Sequence, residues 1–519
     1  MLAKSTIKFH NGDIRVKPHE DWQFGVFELE VSKTDMVQQP QEIHIMLDKS
    51  GSMDELCSDR SSKIDQIKHV TKNILHFVKD KNVSIRVSAF NSAVSTVFSE
   101  VPVREDNIDD LIKCVNKIYA MDETNIGLAL HSMRPVSAVC ENDRHNIFMT
   151  DGNATKGETR PSELLKLVDR TAASNTFIGF GIEHDPEVLL ALSKTENSNY
   201  YFIDNIEKSG LAYGEILHGI LFRSIQNVKI TIHNGLIYDW KTNEWLNETT
   251  IWSVASEMKK TFQLLAPNMS EVIVIVSGIP DVHETFMHNG DTENLMKMFY
   301  RQKTQEYLYL AKNAPADKKD AKSFKQEIAD FTKEMKEYMN THHLTDDLLM
   351  KNLCDDMVIV YRTLGTRLGV MYTNARQTSQ GYERLFNVCD TPTRCVNSYD
   401  LADDLMTSHS VSDDSPYFSE KLAGVMRDVS APRESRFTRD NFSNRDPLLR
   451  VNLNDYTLHD GSLYFPELES FNHDGFTGTL NVFGDNTPLT LEDLSTAEDL
   501  STAKDEDLQR VPLSRSTSA

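Results

Sequence analysis

The stretch IHIMLDKSGSMDE, residues 43 to 55, decides how this chain folds. An apolar, strand-like run ends at Asp48, and Ser50 and Ser52 follow at alternate positions with Gly51 between them. In α/β folds, ligands sit in loops that leave the C-terminal edge of a parallel strand. Gly51 lets the backbone turn tightly enough for the carboxylate and both hydroxyls to point at one centre. Oxygen donors of this kind suit a hard cation such as Mg²⁺, which prefers octahedral geometry at about 2.1 Å. Further ligands must come from elsewhere in the chain.

Working outward, short apolar runs alternate with helical periodicities from Gln41 to about Ile225, as in a mostly parallel sheet covered by helices on both faces. Ile67, Val70, Ile74, Phe77 and Val78 share one helix face. VSIRVSAF (83–90) alternates like an antiparallel or edge strand, and NIFMT (146–150), TFIGFG (176–181) and YYFI (200–203) read as further strands. The spacing predicts helices at about 125–133, 161–174, 186–194 and 206–225. Thr124, in MDETNIGLAL, opens a helix, and Asp151 ends the strand NIFMT. Both positions fall at the sheet edge that Asp48 occupies.

These segments together resemble the von Willebrand factor A (VWA) domain of the integrin type. The pattern D-x-S-x-S at 48–52, a threonine in a TNIGLAL context, and a strand-final T-D-G at 150–152 are the three parts of that family's metal-ion-dependent adhesion site (MIDAS), in order. The resemblance implies a Rossmann-like domain in which Asp48, Ser50, Ser52, Thr124 and Asp151 hold one Mg²⁺ or Mn²⁺. It also implies that a carboxylate of a protein partner completes the ion's shell. Neutral hydroxyls leave the cation under-compensated, so an incoming Glu or Asp is strongly attracted. Where many relatives carry glycine before the site threonine, this chain has Asp122 and Glu123. Those acids either add outer-sphere negative charge, bind a second ion, or are solvated loop residues. Lys49 and Asp54 read as solvent-facing.

A second likeness, carried by GFGIEHDPEVLLALSK, NSNYYFIDN and residues 372–381, is to intracellular VWA proteins joined to Hint or RING modules in eukaryotes and giant DNA viruses. The Cys and His ladder of a RING is absent, so no ubiquitin-ligase activity is carried over.

The flanks at 5–31 and 228–278 have strand character, and neither holds enough strands for a stable sheet alone. The expectation is one small β-sandwich with the VWA domain inserted in it, against the alternative of two separate β units. The domain plan is therefore 1–40 and 227–290 for the sandwich, 41–226 for the VWA domain, 291–388 for a bundle of two or three helices, and 389–519 for a mostly disordered polar tail. In that tail EDLSTA is repeated directly at 492–503, and LYFPEL (463–468) with FTGTLNVF (476–483) reads as a hairpin or docking motif.

Composition excludes several function classes. With 55 Lys+Arg against 78 Asp+Glu the formal charge is −23, a field that repels nucleic acid and anionic membranes. Six cysteines without a C-x-x-C pair make a disulfide framework or zinc ribbon unexpected. There is no secretory h-region at the start and no run near the ~18 apolar residues needed to span a bilayer, so a soluble intracellular or cytoplasmic protein, cellular or viral, is expected rather than a secreted one. No P-loop, G-x-G-x-x-G or G-x-S-x-G occurs. His184-Asp185 reads as a helix cap before Pro186, and His342-His343 as a loop. The expectation is a non-enzymatic interaction module. The alternatives are a scaffold or virion component with a purely structural ion, and a metal-dependent hydrolase using Asp122, Glu123 or His184 as base.

Overall fold

The structure, a computed structural model, describes residues 2–430 except 38, 57–61, 135–142, 152–153, 181–185, 204–208, 280–283, 287–291, 313–317 and 385–418. The chain opens with strands β1 (Ala3–His10) and β2 (Gln23–Val31). An α/β domain follows: β3 (Gln41–Asp48), α1 (Lys63–Val78), β4 (Val83–Phe90), β5 (Val94–Pro102), α2 (Ile108–Asn116), α3 (Ile126–Met133), β6 (Asp143–Thr150), α4 (Pro161–Leu165), β7 (Ser174–Phe180), α5 (Pro186–Leu192), β8 (Ser198–Ile203) and α6 (Ser209–Leu221).

The central sheet has the order β5-β4-β3-β6-β7-β8. All its pairs are parallel except β4–β5, so β4 lies between a parallel neighbour and an antiparallel edge strand. That explains the alternation in VSIRVSAF; the edge strand β5 itself escaped the sequence reading because its residues are mostly exposed. Every residue of β3 is buried, as a strand covered on both sides requires. Strand order reverses between β3 and β6, and since crossovers between parallel strands are right-handed as a rule, the reversal sends α1 and α4 to opposite faces. The ends of β3 and β6 flank the topological switch point, the place where open α/β sheets bind ligands. The helix expected at 161–174 is shorter than its periodicity suggested, because α4 stops at Leu165 and Ser174 already belongs to β7.

After α6 come β9 (Arg223–His233), β10 (Leu236–Asp239), β11 (Glu244–Leu246), β12 (Glu248–Ala255), β13 (Lys259–Ala266), β14 (Ile273–Ser277), β15 (Glu284–Phe286) and β16 (Thr292–Glu293). They form two sheets, β11-β10-β13-β2-β1-β16 and β12-β9-β14-β15. Strand β13 runs antiparallel along β2 from Gln23↔Ala266 to Lys259↔Glu30, so the N-terminal strands and the later ones share a sheet. Ile7, Phe27 and Leu29 of one sheet and Val228, Ile230, Val274 and Val276 of the other lie in one apolar core. The α/β domain is thus inserted in a β-sandwich, between β2 and β9.

Helices α7 (Met296–Lys312), α8 (Lys318–Thr341), α9 (Leu348–Thr363) and α10 (Arg367–Tyr382) follow, four where two or three were expected. Ile328, Phe331 and Met335 of α8 meet Leu349, Leu353, Met357 and Val360 of α9 in a second core. Helix α10 buries a long run of polar side chains, Thr373, Asn374, Arg376, Gln377, Thr378, Ser379 and Gln380, and α7 against it buries Arg301, Gln302, Thr304 and Gln305. Ion pairs satisfy part of this polar interior: Arg376 Nη1 of α10 donates to Asp356 Oδ1 of α9 at 2.9 Å, and Arg301 Nη1 of α7 lies 3.1 Å from Oε1 of Glu383, the residue that caps α10. The amide of Thr261 in β13 donates to Glu383 at 3.0 Å, which fastens the bundle to the sandwich. Among the described residues no helix is long and apolar enough to cross a membrane.

One helix lies where only a polar tail was expected. Helix α11 (Glu420–Ser430) buries Leu422, Val425, Met426 and Val429 against α6 and α1. Their spacing is a one-face helical stripe, missed because it is short and set in a polar stretch. Asn73 Nδ2 of α1 donates to the carbonyl of Val429 at 2.9 Å. Gly214 of α6 lets the helix approach: a Cβ there would lie 2.5 Å from Met426 Cα. The EDLSTA repeat and both aromatic tail motifs lie outside the described residues.

Complete burial of one Leu, Val or Met side chain stabilises by roughly 1.5–3 kcal/mol. A chain ended at residue 390 should therefore melt about 10 °C below one ended at residue 430, and Gly214→Val in the full chain should shift melting the same way. Equal melting of the two truncated chains by calorimetry would show that α11 does not brace the core.

Candidate metal centre

Asp48 is the last residue of β3, and a single 3₁₀ turn, Gly51–Asp54, begins just beyond it. The Ser50 amide donates to Asp48 Oδ1 at 2.7 Å, and Thr150 Oγ1, at the end of β6, donates to Oδ2 at 2.5 Å. Ser52 Oγ donates to Asp151 Oδ1 at 2.8 Å and lies 3.2 Å from Ser50 Oγ. Four of the five expected residues, Asp48, Ser50, Ser52 and Asp151, are therefore joined in one short network.

Thr124 reaches the site through its loop, and its hydroxyl is not part of that network. It is buried, its amide donates to Thr155 Oγ1 at 2.8 Å, and its carbonyl accepts from the amides of Thr155 and Lys156. Two residues before it, the Asp122 carbonyl accepts the Gly51 amide at 2.9 Å, stitching this loop to the serine loop. Asp122 has a left-handed backbone (φ 66°), which asparagine and aspartate tolerate better than most residues. Asn125 caps α3 by accepting from the Leu128 amide.

Three residues that the sequence reading gave no role at the site complete the arrangement. Thr150 holds Asp48 as described. Asn91, buried just after β4, donates through Nδ2 to the Met121 carbonyl at 3.1 Å and to Asp122 Oδ2 at 3.2 Å. Lys63, the first residue of α1, donates through Nζ to Asp151 Oδ2 at 2.7 Å and to Glu55 Oε2 at 2.5 Å. Thr150 could have been suspected from its place beside Asp151. Nothing in the spacing of Asn91 or Lys63 marks them.

Asp48 and Asp151 are both fully buried. Burial, reinforced by the negative charge of Asp151, pushes the Asp48 carboxyl up to about 7, against the hydrogen bonds from Thr150 and Ser50. Burial opposes the charge on Lys63, but its bonds to Asp151 and Glu55 outweigh that and raise its pKa. Two buried carboxylates with serine and threonine hydroxyls around them form an all-oxygen donor set, which fits a hard divalent ion. Among the described residues no three Asp, Glu, His or Cys side chains gather as a metal cluster, so any ion here depends on the hydroxyls.

The flanking charges have partners of their own. Glu123 is exposed and pairs with Lys156 at 3.2 Å, and Lys49 Nζ donates to Ser95 Oγ at 3.2 Å. Asp54 is exposed. His342 and His343 lie in the turn after α8, where the His342 ring packs 4.3 Å from that of Tyr338. His184-Asp185 lies outside the described residues.

Residues 42–212, which contain this network, match the family model of the von Willebrand factor type A domain. The segment is a VWA domain. No curated protein matches the sequence. Among solved structures, the chain is similar to a von Willebrand factor type A protein from Catenulispora acidiphila, with 13% identity over 68% of this chain and 88% of that one, and a TM-score of 0.45. It is also similar to the ArnB paralog VWA2 from Sulfolobus acidocaldarius, with 12% identity, 73% and 99% coverage, and a TM-score of 0.41. A third likeness is to proximal thread matrix protein 1 from the mussel byssus with a zinc-occupied MIDAS motif, at 19% identity, 34% and 46% coverage, and a TM-score of 0.26.

The VWA site carries its own pH signature when metal is chelated. Unfolded, Asp48 loses its proton near the ordinary value of 3.8; folded, it keeps the proton up to about 7. The folded state binds the extra proton in that window, so stability falls as pH rises across it. In EDTA, Asp48→Asn should melt above the parent at pH 7.5, and the two curves should converge near the lower end of the window. A gap that stays constant with pH would show that Asp48 is not the group responsible.

Proposed function

We propose that Asp48, Ser50, Ser52, Thr124 and Asp151 hold one Mg²⁺ or Mn²⁺ as a complete MIDAS, and that the chain grips an acidic side chain of a protein partner through that ion. It does so as a binding module, without catalysing a reaction. The observation that carries this reading is the pair of fully buried carboxylates, Asp48 and Asp151, joined through Ser50 and Ser52 at the switch point of the VWA sheet. A bound dication would hold both carboxylates ionised in a dry edge, and hydroxyls pivot readily from donating to one another to offering lone pairs to an ion. The ion would keep an outward position for a carboxylate of the partner.

The hydrolase alternative needs a general base beside an open coordination position. Asp122 is engaged by Asn91, and Glu123 is exposed and paired with Lys156, which supports the reading of both as loop acids. The likeness to Hint- and RING-associated VWA proteins supports an intracellular setting, and rests on sequence alone.

Millimolar Mg²⁺ or Mn²⁺ should raise the melting temperature of the full chain, because binding to the folded state alone stabilises it by mass action. Thr124→Ala should stay folded and bind the ion roughly ten-fold more weakly. Affinity capture run in parallel with Mg²⁺ and with EDTA should recover the partner only with the metal. An unchanged melting temperature at millimolar metal would remove the reading, and metal-insensitive capture would leave the ion a structural role only.

A further inference from the structure

Resting on that reading of the site, we infer that Lys63 is a fixed cation built into the metal centre, which loosens its hold on the divalent ion and strengthens the loaded site's pull on an anionic ligand. Its ammonium takes one oxygen of Asp151, Oδ2 at 2.7 Å, while the other, Oδ1, accepts from Ser52 Oγ at 2.8 Å. The two sides of one buried carboxylate are thus divided between a permanent charge and the space for a metal ion.

Lys63 is held in place from several directions. Its side chain is only 13% exposed, its amide donates to the Glu55 carbonyl at 3.0 Å, and its ammonium also meets the Glu55 carboxylate. It begins α1 directly after the cap residue Ser62, whose side chain accepts from the Asp65 amide. A protonated amine has no lone pair, so Lys63 cannot become a metal ligand; it acts through its charge.

The charge count gives the consequence. A dication between Asp48 and Asp151 balances their formal charges, leaving only the local field of the ion, under-shielded by neutral hydroxyls, to attract an incoming carboxylate. With Lys63 the loaded centre carries one excess positive charge; the counter-charge of Glu55 is 59% exposed and largely screened by water. The same positive charge repels the metal. Lys63 therefore exchanges metal affinity for ligand affinity.

A purely structural lysine predicts the opposite sign, since losing it would disorder Asp151 and weaken metal binding. The test uses the full-length chain, Lys63→Gln, Lys63→Arg and Asp151→Asn, with Mn²⁺ alone as probe and binding read by electron paramagnetic resonance. Lys63→Gln, which keeps a hydrogen-bond donor but no charge, should bind Mn²⁺ about ten-fold more tightly than the parent, and Lys63→Arg should match the parent. Acetate, followed through the water-relaxation enhancement of bound Mn²⁺, should displace water at lower concentration from the parent than from Lys63→Gln. If Lys63→Gln melts as the parent does and binds Mn²⁺ equally or more weakly, while Asp151→Asn abolishes binding, the inference about Lys63 falls and the site reading stands. If neither the parent nor Lys63→Gln binds Mn²⁺, both fall together.

Discussion

The structure is organised around two carboxylates, Asp48 and Asp151, that are fully buried at one edge of a parallel sheet. Parallel strands covered on both sides expose only their ends, so β3 and β6 deliver these charges side by side where strand order reverses. Charge without water must be answered by nearby donors. Ser50 and Thr150 answer Asp48, and Ser52 and Lys63 answer Asp151. Backbone bonds between the loops, Gly51 to Asp122, Asn125 to Asn91 and Thr155 to Thr124, hold the donors in register.

The same accounting of buried polar groups explains the attachment of the helical segment. Helix α10 is nearly as buried as a core helix yet carries Arg, Gln, Thr and Ser on its inner surface. Leaving such groups unmet is expensive, and breaking one partner of a buried pair costs more than the pair contributes. Asp356 with Arg376 joins α9 to α10, Glu383 with Arg301 joins the end of α10 to α7, and the Thr261 amide bound to that same Glu383 ties the helices to the sandwich. Helix α1 has a comparable linking role in the VWA domain, with Lys63 against Asp151 and Asn73 against the last turn of α11.

Much of this was legible in the chain. The buried run 43–47, the polar turn after it and the helical stripe of α1 are local patterns with one structural solution each. Asp48, Ser50 and Ser52 needed no tertiary information, because they share one turn. Thr124 and Asp151 were placed at the same edge from their positions at a helix start and a strand end; Asp151 joins the network with Ser52, and the Thr124 hydroxyl does not. Helix α11 was overlooked although its apolar spacing is as regular as that of α1, since a stripe of one or two turns gives little contrast within a polar segment.

By itself the sequence determined the fold of the VWA segment, the sheet edge that carries Asp48 and Asp151, and the donor types available there, because each follows from periodicity and residue chemistry over short distances. Tertiary structure alone decided that β2 pairs with β13, that a late helix seals α6, and that Lys63 stands on Asp151. Those facts join residues far apart in the chain, and which partner a buried strand edge, an apolar groove or a carboxylate finds is settled by the competition among all of them at once. No local pattern records that outcome.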